Sequence, residues 1–195
     1  MTYTIFIFRR DIRLYDNTGL NYAMHNLENV IPIFIFTPEQ ITKKNKFKSN
    51  NAIQFMIESL KDLDEDLKKY KSKLHIFQGN NIEVLRKISK EFEIENIVFN
   101  MDYTPYAIKR DKEINNFCKK EKINCCIIED YLLDNIGTFL KKDGEPYTVY
   151  TPFKNNLLKF KINKPDRSRP KNLVKVKLNE NDYINYEINK NILVN

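Results

Sequence analysis

Hydrophobic residues occur in two alternating patterns along this chain. Five short, nearly continuous runs of aliphatic and aromatic residues have the length and composition of strands that are buried on both faces. Charged or polar residues end each run within one strand length, so we expect no run to reach the roughly 20 apolar residues that a membrane span requires. The runs are Tyr3–Phe8, Val30–Phe36, Lys73–Phe77, Asn96–Phe99 and Ile123–Ile128.

Between these runs, apolar residues recur every three or four positions, which is typical of helices that pack one face on a core. The longest such segment is Ile53–Leu67, and shorter ones are Leu85–Phe92 and Ile114–Cys118. Strands that alternate with helical crossovers predict an α/β fold. We therefore expect a Rossmann-like, doubly wound, five-stranded parallel sheet with helices on both faces and a C-terminal connector.

The alternating pattern ends after Ile128. We therefore predict an α/β domain over residues 1–130 and a connector with a basic tail over residues 131–195. Ten basic and four acidic residues lie between Lys154 and Asn195, whereas the preceding part of the chain is almost neutral. Because the basic excess is confined to a terminal segment, we do not expect the body to grip DNA by itself.

One short helix is predicted inside the connector, near residues 152–160. Thr151 would be its N-cap, and Pro152 would occupy its first helical position. A helix this short is marginal alone and needs tertiary burial. We therefore expect its apolar face to anchor it on the α/β body through Phe153, Leu157 and Phe160.

Cysteine and histidine residues do not indicate a disulfide framework or a metal site. The three cysteines lack Cys-x-x-Cys spacing, and the two histidines are distant from them in the sequence. We interpret Cys125 and Cys126 as small apolar strand residues of a protein in the cytoplasm or another reducing intracellular compartment. The N-terminal residues show no export signal, and His75 is interpreted as a structural strand residue.

Motifs for common catalytic and nucleotide sites are missing. The sequence contains neither Gly-x-Gly-x-x-Gly after the first strand nor a Gly-x-x-x-x-Gly-Lys-[Ser/Thr] P-loop. Nucleophile-elbow spacing is also absent. The residues alone therefore predict a domain that binds a ligand, with no catalytic residue that can be assigned.

The ligand of an open parallel sheet binds beyond the carboxyl ends of the strands, where the strand order reverses. For a 3-2-1-4-5 order, this place lies between the loops Arg9–Arg13 and Asn100–Thr104. Their guanidinium, carboxylate and aromatic groups suit a planar, polar or anionic ligand. The same groups could equally form a salt-bridged network that orders the loops, with Asp16 or Asn17 capping the first helix.

Three segments resemble one family. Residues 8–17 (FRRDIRLYDN) are similar to the opening signature of DNA photolyases and cryptochromes, Phe-Arg-x-Asp-Leu-Arg-Leu-x-Asp-Asn. Residues 102–111 (DYTPYAIKRD) resemble the loop after the fourth strand of that family, and residues 147–155 (YTVYTPFKN) resemble its Tyr-x-Val-[Phe/Tyr]-Thr-Pro-Phe segment. The matches are in the family's order, which is stronger evidence than a single motif.

This resemblance implies a function in light-dependent DNA repair. In the family, an N-terminal α/β domain binds an accessory light-harvesting chromophore and passes excitation to FAD in a helical domain, and FAD donates an electron to a pyrimidine dimer. Members that use folate typically carry Asn-Glu where this chain has Tyr106-Ala107, so the resemblance favours a deazaflavin or a flavin over folate. The residues expected to contact this antenna are Arg9, Arg10, Asp11, Phe36, Asp102, Tyr103 and Tyr106.

The resemblance covers residues 3 to about 162, and no tryptophan is present for an electron relay. We therefore expect a truncated or split chain that lacks the FAD-binding helical domain and is inactive alone. Light-dependent repair would require a separate FAD-binding chain, and contact with DNA would be indirect. The alternatives are an inert remnant and a stand-alone nucleotide-binding protein of Rossmann-like fold.

Overall fold

The computed structural model of the protein describes residues 1–43 and 45–178. Five strands form one parallel sheet in the order β3-β2-β1-β4-β5. The predicted doubly wound, five-stranded fold is therefore confirmed, and each strand overlaps its predicted run. The strands are β1 (Tyr3–Phe8), β2 (Val30–Phe36), β3 (His75–Gln78), β4 (Ile94–Asn100) and β5 (Asn124–Ile128).

Helices cover both faces of the sheet. Alternation along β1 sends Phe6 and Phe8 to one core and Ile5 and Ile7 to the other. The first core is closed by α1 and α3, and the second by α4 and α5. The helices are α1 (Thr18–Asn26), α2 (Pro38–Ile41), α3 (Asn50–Lys68), α4 (Asn81–Glu91), α5 (Pro105–Glu121) and α6 (Tyr150–Leu157).

The connector helix α6 differs from its prediction in both its start and its packing. It begins at Tyr150, and Val149 rather than Thr151 is its N-cap. Pro152 still lies in the first turn, where an amide N–H would lack an intrahelical acceptor. No residue of α6 is buried, so the expected burial of its apolar face was wrong.

The aromatic rings of Phe153, on α6, and of Phe160, just after it, pack on other aromatic residues of the connector. Phe153 lies 6.4 Å from Phe139 and 6.1 Å from Tyr147 between ring centroids. Phe160 lies 4.9 Å from Phe139 and is 44% exposed. Phe153 and Phe160 therefore both contact Phe139, and the helical period carried no information on which residues would cover them.

The connector returns to the amino-terminal edge of the sheet after α6. The Val30 amide donates a hydrogen bond to the Asn172 carbonyl at 2.8 Å, and the Val174 amide donates to the Val30 carbonyl at 2.9 Å. Leu173 between them is buried in the core beneath α1 and α3. Residues 172–174 are therefore packed against the α/β body. The predicted tail beyond Leu178 lies outside the described residues.

The three cysteines are not cross-linked, and His75 is buried in the sheet. All three cysteines are free thiols, and Cys118 lies on the buried face of α5, in the second core. Burial lowers the pKa of His75 to about 4, so its imidazole is neutral at physiological pH. Within residues 1–43 and 45–178, we find no group of three or more potential metal ligands among His, Cys, Asp and Glu.

In the described part of the chain, no helix is both long enough and apolar enough to pass through a lipid bilayer.

Candidate functional site

The carboxyl edge of the sheet is divided into two regions. The first lies at the start of α1, between β1 and β4, where the strand order reverses. Asn17 is the N-cap of α1, and its side-chain oxygen accepts from the Leu20 amide at 3.1 Å. Asn100, the last residue of β4, accepts from the Gly19 amide at 2.9 Å. Asp130 accepts from the Thr18 amide at 2.8 Å.

These contacts use the first three amide groups of α1. The dinucleotide-binding version of this fold places a pyrophosphate at the same helix terminus, because the amides there lack intrahelical partners. Here side chains of the protein already accept those hydrogen bonds. Gly19 also packs so closely on Asn100 that an added Cβ would overlap the Asn100 side-chain oxygen. This region therefore has no vacant phosphate cradle.

Asp11 ties the same region to the end of β1. Its carboxylate accepts from the Arg9 amide at 2.8 Å and from the side-chain amides of Asn17 and Asn100. Asp11 and Asn100 are 1% and 0% exposed. The interpretation of these loops as an internally ordered polar network is correct for this region, and Asn17 rather than Asp16 is the helix cap.

A cavity of about 660 Å³ forms the second region. It lies beside the network, between the loop after β1, the α2–α3 connection and the first turns of α5. The described residues that line it are Arg9, Arg10, Glu39, Gln40, Asn45, Lys46, Phe47, Met56, Asp102, Tyr106 and Arg110. Its size is in the range of small-molecule sites, which measure roughly 300–1,000 Å³.

Arg9 is held at the cavity floor by three contacts. Its guanidinium carbon lies 3.9 Å above the centroid of the Phe99 ring. One terminal nitrogen, Nη1, contacts Asp111 Oδ1 at 2.9 Å and donates to the Asn100 carbonyl at 3.2 Å. Burial and, to a smaller extent, the like charge of Arg110 together lower the pKa of Arg9 to about 10. The guanidinium is still protonated at neutral pH.

Arg110 enters the cavity floor from α5. Its Nε also donates to Asp111 Oδ1 at 2.9 Å, so one carboxylate oxygen is shared by two guanidinium groups. The guanidinium carbon of Arg110 lies 5.6 Å from the centroid of the Tyr106 ring. Among the described residues, neither Nη2 of Arg9 nor Nη2 of Arg110 has a hydrogen-bond partner, although both atoms are buried.

The structure brings four of the seven predicted site residues to the cavity: Arg9, Arg10, Asp102 and Tyr106. Arg10 and Asp102 approach to 3.5 Å across its rim. The other three do not line it: Asp11 belongs to the polar network, Phe36 is a core residue, and Tyr103 lies in the adjacent loop.

Phe36 and Tyr103 are separated from the cavity for different reasons. The Phe36 ring packs on Phe34 at 4.9 Å and is 1% exposed. The Tyr103 hydroxyl is buried, and this burial raises the pKa of Tyr103, with a smaller contribution from the charge of Glu129.

Seven of the described lining residues were not predicted, and two of these, Phe47 and Arg110, have side chains suited to binding a ligand. Phe47 lies between two lysines in the loop before α3, and its side chain is 93% exposed at the cavity. The sequence signal that could have identified Phe47 is an isolated aromatic residue in a basic loop, outside any helical or strand period. Arg110 was part of the family-like segment but lies inside α5, so an argument restricted to loops at the strand ends did not include it.

Comparisons with known proteins agree on one family. The DNA photolyase family model matches residues 4–171. The (6-4)DNA photolyase of Arabidopsis thaliana is 30% identical over 154 residues, which are 75% of this chain and 28% of that protein. Cryptochrome-1 of Aedes aegypti is 36% identical over 124 residues, which are 60% of this chain and 22% of that protein. The chain thus spans about a quarter of the length of these curated relatives.

A solved structure extends the agreement to three dimensions. The photolyase of Sulfolobus tokodaii superposes with a TM-score of 0.83 and 36% identity over 99% of this chain and 42% of that one. That crystal structure contains two FAD molecules and is described as implying a novel light-harvesting cofactor. The chain therefore belongs to the DNA photolyase family, as its N-terminal α/β domain.

Proposed function

We propose that this chain is a light-harvesting domain that binds a flavin or deazaflavin in the cavity at the carboxyl edge of the sheet. The observation that carries this proposal is the cavity of about 660 Å³, which lies beside the strand-order reversal and contains four residues predicted for an antenna site. The two FAD molecules of the S. tokodaii photolyase support a flavin in preference to folate.

The walls of the cavity suit a flat aromatic ring. Phe47 is 93% exposed and Tyr106 is 42% exposed, and both line the cavity together with Met56. A ligand that removes large apolar side chains of a concave surface from water stabilises the complex. Aromatic rings can also stack against the plane of an isoalloxazine. Phe47 is therefore the residue from which we expect the largest apolar contribution to binding.

The family's photochemistry requires a second component. We propose that the chromophore bound here passes excitation to FAD held by a helical domain, and that this domain contacts the damaged DNA. The α/β domain would then hold and orient the antenna, exclude water from one of its faces and set its distance from the acceptor. DNA would be contacted only indirectly.

The proposal can be tested by titrating the purified 195-residue chain with FMN, FAD, a deazaflavin and a reduced folate. Binding would be followed by quenching of chromophore fluorescence and by visible absorbance. We expect a flavin or deazaflavin to bind with a Kd below ~100 μM, equivalent to about −5.5 kcal/mol. Phe47→Ala should weaken binding about tenfold, because a buried aromatic contact is lost.

Phe55→Ala is the matched control for that variant. Phe55 is also an exposed phenylalanine, 71% accessible, but it lies on α3 and does not line the cavity. It should leave affinity unchanged. If no chromophore binds below ~100 μM, or if both phenylalanine variants weaken binding equally, the antenna proposal fails for this cavity.

A further inference from the structure

The cavity floor contains more positive charge than its own carboxylates neutralise. Four of the described lining residues, Arg9, Arg10, Lys46 and Arg110, are cationic, whereas Glu39 and Asp102 are anionic. Arg10 is 64% exposed and paired with Asp102 at the rim, so much of its charge is screened by water. The buried excess comes from Arg9 and Arg110.

Asp111 contacts both of these guanidinium groups through a single carboxylate oxygen, and its other oxygen, Oδ2, is buried without a partner among the described residues. Its Oδ1 receives Nη1 of Arg9 and Nε of Arg110, each at 2.9 Å. Two positive groups and one negative group leave a net charge of +1 at this point. The side chains of Arg9 and Arg110 are only 9% and 13% exposed, so solvent screens that charge poorly.

The unused donors are on the same two residues. In the described part of the chain, the buried Nη2 atoms of Arg9 and Arg110 have no acceptor. A buried charged donor without a partner is destabilising, and structures normally supply an acceptor from protein, water or ligand. A second, smaller cavity of about 20 Å³ is lined by the same two arginines together with Thr37 and Tyr106, whose hydroxyl oxygens lie 3.1 Å apart.

We propose that Arg9 and Arg110 together bind an anionic oxygen group of the chromophore, a phosphate or carboxylate, at the floor of the cavity. This inference rests on the proposed function and specifies the ligand class. Guanidinium groups donate in a planar fork that matches such oxyanions, and a charge-assisted hydrogen bond is roughly twice as strong as a neutral one. The anion neutralises the excess charge while Phe47 contacts the ring.

FMN and riboflavin provide a direct test because they differ only in the phosphate group. Affinities of the complete 195-residue chain for both would be measured by fluorescence quenching at one fixed, low ionic strength. We expect FMN to bind at least about tenfold more tightly than riboflavin, since one charge-assisted hydrogen bond accounts for a factor of that size. Arg110→Gln should reduce this preference to about twofold or less, and Arg110→Lys should retain part of it.

Arg86→Gln is the matched control. Arg86 also lies near an aromatic ring, 5.8 Å from the Phe117 centroid, but it is outside the cavity. This variant should keep the full preference for FMN. Thermal unfolding of each variant would confirm that it is folded before its affinities are compared.

The outcomes separate this inference from the proposed function. Equal affinity for FMN and riboflavin would leave the chromophore site intact but would overturn the anion contact. If FMN, riboflavin, FAD and the deazaflavin all fail to bind below ~100 μM, the proposed function fails, and stabilisation by inorganic pyrophosphate then decides the anion site. Pyrophosphate that raises the Tm of the wild-type chain but not of Arg110→Gln would support an oxyanion site for a free phosphate; no such shift would overturn it.

Discussion

Two neighbouring regions at the carboxyl edge of the sheet differ in whether their buried hydrogen-bond donors have acceptors. In the closed region, formed by Asp11, Asn17, Asn100 and Asp130, neutral amides and carboxylates accept every hydrogen bond from the first three amides of α1. In the open region, the cavity around Arg9 and its neighbours, buried guanidinium nitrogens have no acceptor in the described chain.

The difference shows how one loop can serve both stability and binding. Arg9 and Asp11 are two residues apart and linked by a hydrogen bond from the Arg9 amide to the Asp11 carboxylate. The Asp11 side chain completes the closed region, whereas the Arg9 side chain lies over Phe99 at the cavity. We infer that substitutions in the closed region reduce stability, whereas those in the open region mainly change binding.

The largest effect is expected for Asn100→Ala. This change removes the acceptor for the Gly19 amide and the donor for the Asp11 and Asn17 oxygens, all in a buried place. Each buried group left without a partner costs about 1–3 kcal/mol, so the free energy of unfolding should fall by about 3 kcal/mol or more. Urea denaturation followed by circular dichroism would measure the change.

Asn51→Ala is the control for this variant. Asn51 is an exposed residue of α3, and its replacement should change the free energy of unfolding by less than ~0.5 kcal/mol. A loss below ~1 kcal/mol for Asn100→Ala would show that water readily replaces its hydrogen bonds. The closed region would then not be the stabilising element described here.

Much of this arrangement could be predicted from the sequence. Five apolar runs and the helical periods between them indicated the sheet and the helices on both its faces, because alternating burial leaves a direct trace in residue order. Strand order then indicated which loops meet at the carboxyl edge. Arg9 and Asp102 lie in those loops, Tyr106 was named from the family-like segment that follows them, and all three line the cavity.

The remaining details depend on side-chain direction, which residue order records only partly. Phe36 ends β2, but it shares a face with Phe34 and therefore belongs to the core. Arg110 reaches the cavity from inside α5, and Phe47 reaches it from a loop without periodicity. Both regions of the carboxyl edge contain arginine, carboxylate and amide groups. Residue types alone therefore could not indicate in which region the protein's own side chains would accept all the hydrogen bonds.

Gly19→Ala should have the second-largest effect and probes the close contact between α1 and β4. The added methyl group would overlap the Asn100 side-chain oxygen, and that side chain is fully buried and hydrogen-bonded. Overpacking of this kind costs about 1–3 kcal/mol, which outweighs the benefit of alanine in a helix. A stabilised Gly19→Ala protein in thermal unfolding would mean that α1 can move away from β4.

Asp130→Ala should reduce the free energy of unfolding by about 1–2 kcal/mol, as expected for the loss of a helix-terminal acceptor. The carboxylate accepts from the Thr18 amide and from Arg13, each at 2.8 Å, and is 1% exposed. Asp130→Asn retains an acceptor oxygen and should recover part of the loss. Equal losses for the two variants, measured by urea denaturation, would exclude the amide contact as the cause.

The smallest effect is expected for Arg10→Ala, and it is best judged against Arg13→Ala in the same loop. Arg10 is 64% exposed and reaches Asp102 only at 3.5 Å, so its removal should change the free energy of unfolding by less than ~0.5 kcal/mol. Arg13 instead donates to the Asp16 carbonyl and to the buried Asp130 carboxylate, which predicts a loss of about 1 kcal/mol. Both would be measured by urea denaturation under identical salt conditions. If Arg10→Ala costs as much as Arg13→Ala, the open region contributes to stability as the closed region does, and the division of the edge into two regions is wrong.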